Sequence, residues 1–192
     1  MAEPYLLEPF IASFEKLDDM IAFESTDPVA TQLAVGEPDS YGLRKWRPQV
    51  APTEASHLDL LYARLPALFP PLYERLVLNY RWAEVDLQSF RLLANPPGAD
   101  LSGLLAEVER DKGLRESLIP AGYIKFGKGP DVDYDPVCFD IKSRTKRKDY
   151  RIVKIDHEEI LCNYRIKIVA ELAPSFEQLV RETIARAKST GS

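Results

Sequence analysis

The run Asp131-Val132-Asp133-Tyr134-Asp135 sets three carboxylates at alternate positions, the pattern by which an acidic loop converges oxygen ligands on a hard cation. A calcium loop of the EF-hand kind also needs a turn-making glycine at its sixth position and a bidentate glutamate at its twelfth. Pro136 and Lys142 stand there, so that chemistry does not follow. His157-Glu158 opens like a zinc-protease motif, but Leu161 occupies the place of the second histidine, and the segment reads as a strand or turn, not a helix. His57 has no ligand type beside it in sequence. Gly127-Lys128-Gly129 lacks the further amides and the Lys-Ser/Thr pair of a phosphate loop and reads as a turn between strands.

Acid/base chemistry would need two such groups in one cleft: Asp156 with Asp140 or Asp135, or Asp140, Asp156 and His157 as a set. Carboxylates at strand ends more often bind turns or face solvent. The expectation is therefore no catalytic site, no metal and no cofactor. Residues 142–154 hold seven basic side chains against one acidic one, a cluster that could contact phosphates but reads first as a solvated hairpin between strands. Trp46, Trp82 and Tyr134 are candidate anchors of a protein interface, because aromatics offer large contact area with few torsions to immobilise. Core packing is the commoner fate of a tryptophan, and Tyr134, inside an acidic turn, is the best placed of the three.

The elements that must position these groups can be read from periodicity. Leu7, Phe10, Ile11, Phe14, Leu17 and Ile21 predict an amphipathic helix of about four turns. Over 24–58 the period is lost among Pro28, Gly36, Pro38, Gly42, Pro48 and Pro52, which predicts a long arm packed on the domain. Helices are expected over 58–64 and from the Pro70-Pro71 pair to about Trp82; a bulged strand or two short strands follow over 84–93, then the turn Asn95-Pro96-Pro97-Gly98. Asp100 is placed to cap a helix that runs to a stop at Gly113. Strands are predicted over 123–126, 137–141, 150–155 and 159–168. Ser175-Phe176-Glu177-Gln178 has capping-box form ahead of a closing helix. The order gives an α+β fold: a single domain with a mostly antiparallel sheet flanked by N-terminal and C-terminal helices.

Composition sets the bounds. A chain of 192 residues with 45% hydrophobic residues can bury one sizeable core. Its 30 acidic and 25 basic side chains leave a net charge of −5, which opposes direct nucleic-acid binding and mildly favours basic partners. Cys138 and Cys162 form no ligand-spaced pair and are expected to be buried, reduced thiols. Apolar clusters are far shorter than a membrane span, so no membrane association and a cytoplasmic location are expected.

Several stretches together resemble the SMI1/KNR4 (SUKH) superfamily. They are Leu65-Pro66 with the helix up to Tyr80 and Trp82, Gly122-Tyr123-Ile124-Lys125-Phe126-Gly127, Tyr134-Asp135-Pro136-Val137-Cys138-Phe139-Asp140, Ile155-Asp156-His157-Glu158, and Ala173-Pro174-Ser175-Phe176-Glu177-Gln178-Leu179. The resemblance covers residues 58–187, about two thirds of the chain, and frames 58–192 as the domain with 1–57 as helix and arm. It departs from the family pattern at Lys128-Gly129-Pro130-Asp131, where a glycine-rich turn is common, and over 24–58.

The resemblance implies a non-catalytic protein-binding module. Bacterial members look like immunity proteins that neutralise toxins, often nucleases; fungal members resemble regulators of cell-wall synthesis. For this chain it implies a protein partner, such as a basic toxin domain, met by Asp131, Asp133, Tyr134, Asp135, Asp156, Glu158 and Glu159. If those side chains form one surface, they mimic a nucleic-acid backbone toward a basic nuclease site. The alternatives are a scaffold that uses Trp46 and the first helix as an interface, and an enzyme using Asp140, Asp156 and His157. Oligomeric state is not legible in the sequence.

Overall fold

Helix α1 (Leu7–Leu17) forms because Leu7, Phe10 and Phe14 recur on one face and are buried there. It is shorter than the apolar period through Ile21 predicts: Met20 takes a left-handed φ of 52°, and the chain continues as strand β1 (Ile21–Phe23). The computed structural model describes residues 4–23 and 27–190, so the first residues of the expected arm, Glu24, Ser25 and Thr26, lie outside the described residues.

From Asp27 onward the arm is built of regular pieces instead of extended loop. The Asp27 carboxylate accepts from the amides of Val29 and Ala30 and caps α2 (Pro28–Gln32). Strands β2 (Ala34–Val35) and β3 (Leu43–Trp46) then join β1 in an antiparallel sheet with β3 central. Strand β4 (Gln49–Val50) pairs with β5 (Tyr80–Arg81), far along the chain. Leu33 and Trp46 are buried in the same core as Phe10 and Phe14, so the segment before Leu58 is part of that core.

Helix α3 (Leu58–Tyr62) is followed by α4 (Pro71–Asn79), which starts on a proline whose missing N–H costs nothing at a helix start. The 84–93 segment resolves into two short antiparallel strands, β6 (Val85–Asp86) and β7 (Arg91–Leu92). The single helix expected to stop at Gly113 is two helices, α5 (Ser102–Glu109) and α6 (Lys112–Leu118). Asp111 accepts from the Leu114 amide to start α6, and Gly113 sits in its first turn, where a Cβ would lie 2.9 Å from the Leu161 side chain.

The main sheet follows. Strands β8 (Tyr123–Lys128), β9 (Pro136–Asp140) and β10 (Arg151–Ile155) are its centre. The strand expected over 159–168 is corrected: Asp156 caps helix α7 (His157–Asn163), and β11 begins only at Ile168 (Ile168–Ala173). Helix α8 (Phe176–Ser189) closes the chain. The sheet order is β11-β10-β9-β8-β7-β6, every pair antiparallel.

Alternation along the strands gives the sheet two apolar faces. One presents Ile124, Phe126, Phe139 and Ile152 to α1, α4 and α8. At its heart the rings of Phe126 and Phe139 stack at 4.1 Å and 15°, with Tyr73 and Phe176 meeting them edge-on. The other face presents Tyr123, Cys138, Val153 and Ile155 to Leu114 and Leu118 of α6 and Ile160 of α7. Cys138 is buried as expected, whereas Cys162, on the last turn of α7, is exposed.

A buried carboxylate joins sheet to helix. Asp149, 8% exposed, accepts from the amides of Tyr150 at 2.7 Å, Phe176 at 3.0 Å and Glu177 at 3.2 Å. The Ser175 hydroxyl accepts from the Gln178 amide, while the Gln178 side chain turns to Glu182, so only half of the capping box is made. Replacing Asp149 by Ala removes the shared acceptor of three amides, two of them at the start of α8. The Asp149→Ala variant is expected to lose about 3 kcal/mol and Asp149→Asn roughly half of that, read from urea unfolding midpoints by the fluorescence of the buried Trp46 and Trp82.

Candidate functional site

Strands β8 and β9 are joined by a turn that is closed on itself. The Gly129 amide donates to the Asp135 carbonyl at 2.9 Å, the Asp133 amide to the Pro130 carbonyl at 3.0 Å, and the Asp135 amide to the Asp133 carboxylate at 2.9 Å. Any side chain at Gly129 would collide with that of Asp133, so the turn requires glycine there. The exposed Val132 and Tyr134 stand out from a rigid base, 82% and 63% accessible.

The turn meets the start of α7. Asp135 accepts from the His157 amide at 2.9 Å and pairs with His157 Nδ1 at 2.8 Å; a carboxylate only accepts, so the proton of this contact sits on Nδ1. The Tyr134 ring lies edge-on to His157, centroids 6.2 Å apart. Asp133 pairs with Lys154 of β10 at 2.7 Å. On α7 itself, the Asp156 carboxylate accepts from the Glu159 amide at 3.0 Å and from Lys167 at 3.0 Å, and Glu159 binds Arg165 at 2.9 Å. The 131–135 turn and the 156–159 segment therefore do form one surface.

Its charge is much reduced from what the sequence suggests. Of the six carboxylates expected to face a partner, Asp133, Asp156 and Glu159 pair with Lys154, Lys167 and Arg165, and Asp135 is hydrogen-bonded by His157. Asp131 and Glu158 are exposed and carry no ion pair among the described residues. The Asp131 amide donates to Asp86 at 3.2 Å, which leads to groups that the sequence reading missed. Asp18, Asp19, Asp86 and Asp131 line a cleft of about 390 Å³ together with Leu17 and Gln88. Asp18 is fixed there by accepting from the amides of Met20 and Asp86. The adjacent pair Asp18-Asp19 at a helix end was the available signal; its meeting with residue 131 depends on tertiary structure alone.

Asp140, Asp156 and His157 are not brought together. Asp140 is buried at the far end of β9, where it accepts from the Lys142 amide and from Arg151 at 2.6 Å. The length of β10 separates it from Asp156, roughly 16 Å of strand. Trp46 and Trp82 are both core residues, so Tyr134 alone of the three aromatics is an available anchor. Among the described residues no group of three or more His, Cys, Asp or Glu side chains is arranged to hold a metal ion, and no helix is long and apolar enough to cross a membrane.

No family model matches the chain, and no curated protein or solved structure matches it.

Three of the paired carboxyls lie below their ordinary range. In Asp133 partial burial pushes upward, but the Lys154 hydrogen bond, the Asp135 amide and the charges of Lys154 and His157 outweigh it. Asp156 is held down by the Glu159 amide and then Lys167, and Glu159 chiefly by its hydrogen bond from Arg165. A carboxyl held below its unfolded value contributes stability that is complete above about pH 4 and is lost as pH falls through the folded value. The thermal midpoint is therefore expected to drop between pH 6 and pH 3. In Lys154→Met the drop should be smaller, because Asp133 loses its main stabilising charge.

Proposed function

We propose that this chain is a non-catalytic protein-binding module of the SMI1/KNR4 kind: an immunity-type protein that neutralises a basic toxin domain, such as a nuclease, through the turn centred on Tyr134. The observation that carries this reading is an exposed aromatic and an exposed valine on a turn braced by its own hydrogen bonds, flanked by the unpaired carboxylates Asp131 and Glu158. A rigid aromatic supplies contact area at small entropic cost, and carboxylates at the rim steer a basic partner and set its orientation. The acidic cleft of Asp18, Asp19, Asp86 and Asp131 extends that field beyond the turn. The scaffold alternative loses its proposed anchor, since Trp46 is buried.

The test is co-expression with the product of the adjacent gene, scored for rescue of growth and for complex formation with the purified proteins. Tyr134→Ala is expected to weaken the complex by tenfold or more, about the loss typical of a central aromatic. Asp131→Lys with Glu158→Lys should slow association most strongly at low salt. A neighbouring product that neither binds nor is neutralised overturns the reading.

A further inference from the structure

The turn between β9 and β10 lies at the opposite end of the strands from Tyr134. A 3-10 turn at Ile141–Ser143 leads into Arg144, Thr145, Lys146, Arg147 and Lys148, all of them exposed. This turn has a defined shape. The Thr145 amide donates to the Asp149 carbonyl at 2.8 Å, the Lys148 amide to the Thr145 carbonyl at 3.0 Å, and the Asp149 amide to the Thr145 hydroxyl at 3.2 Å. Lys148 holds a left-handed φ of 61°. At its base the Ser143 hydroxyl donates to the Asp140 carbonyl and accepts from the Arg151 amide.

Two clefts flank the turn. One, of about 360 Å³, lies between Lys146, Arg147 and Lys148 and the start of α4 at Pro71, Leu72 and Arg75. The other, of about 400 Å³, lies between Thr145, Lys146 and Arg147 and the start of α8 at Ser175, Glu177 and Gln178. The carboxylates that line them are already engaged: Asp149 accepts from three amides, and Glu177 pairs with Arg181 at 2.9 Å. Among the described residues Lys146, Arg147 and Lys148 make no ion pair. A chain of net charge −5 thus keeps three unpaired cations on a preorganised turn, beside clefts in which no carboxylate is free to answer them.

We propose that these clefts bind a compact phosphate-bearing ligand, held by Lys146, Arg147 and Lys148. Ammonium and guanidinium donors converging from one turn suit the several acceptor oxygens of a phosphate or pyrophosphate group. A nucleic-acid strand fits less well. The aromatics at this end among the described residues, Tyr123 and Tyr150, are both buried, Tyr150 with its hydroxyl donating to the Leu68 carbonyl, so neither offers an open face for a base to stack on. The net negative charge also opposes a long polyanion.

Titration calorimetry of the full chain with inorganic pyrophosphate at low salt tests this. The wild type should bind saturably. Lys146→Ala/Arg147→Ala/Lys148→Ala should bind at least about tenfold more weakly with an unchanged thermal midpoint. Lys45→Ala/Lys112→Ala/Lys188→Ala, which changes net charge equally at exposed sites elsewhere, should bind as the wild type does. Tyr134→Ala should also leave pyrophosphate binding unchanged, which keeps this outcome separate from that of partner binding. Once pyrophosphate binding is found, sedimentation of the pyrophosphate-free protein with phosphatidylcholine vesicles that contain a phosphoinositide, and not with phosphatidylcholine alone, assigns the phosphate to a lipid headgroup; no sedimentation assigns it to a soluble ligand. Absence of saturable binding, equal weakening in both triple variants, or binding of a single-stranded oligonucleotide without pyrophosphate binding overturns the proposal.

Discussion

Asp149 is the joint on which the two layers of this protein turn. Its carboxylate gathers the Tyr150 amide, just ahead of β10, and the first two amides of α8, so sheet and closing helix share one buried anion. Phe176 is thereby delivered to the edges of the stacked Phe126 and Phe139 rings, and Tyr150, the next residue, packs against Phe139. The positive end of a helix and the desolvated acid that occupies it stabilise each other, which is why a charge is tolerated at that depth. Because α8 also lies along α1, the placement of the N-terminal helix depends on the same contact.

The central strands then impose a separation of chemistry. Their middles are given over to two apolar faces, so polar groups are pushed to the strand ends, and the β8–β9 and β9–β10 turns lie at opposite ends. At the Tyr134 end most carboxylates are consumed by Lys154, His157, Lys167 and Arg165, and a local charge excess survives only where a carboxylate outruns its neighbours' reach. At the other end the reverse holds: acids are internal and cations are left over.

The α+β class, the central strands and the closing helix were legible because each rests on a local pattern, whereas the meeting of the 131–135 turn with the start of α7 rests on the long-range contacts of Asp135 and Tyr134 with His157. The corrections fall where local pattern is weakest. Strands β1 to β4 run two to four residues, too short for alternation to register. Helix α7 buries only Ile160, so it carries no apolar stripe, and its β-branched and aromatic surroundings read as strand. At Gly113 the competing signal was a real cap, Asp111, two residues earlier. The pairing of carboxylates was invisible for a different reason: Lys154 and Lys167 reach Asp133 and Asp156 across strand register, which composition does not encode. The same holds for the cleft that unites Asp18 and Asp19 with Asp131.

The opposed strand ends have a consequence for the molecule in bulk. A body with exposed carboxylates at one strand end and unpaired cations at the other has an electric polarity that its net charge does not express. In dilute buffer such molecules attract pole to pole, and added salt screens that attraction. The chain should therefore dissolve better at moderate ionic strength than in near-pure water, a salting-in behaviour set by the geometry of two turns and not by the isoelectric point.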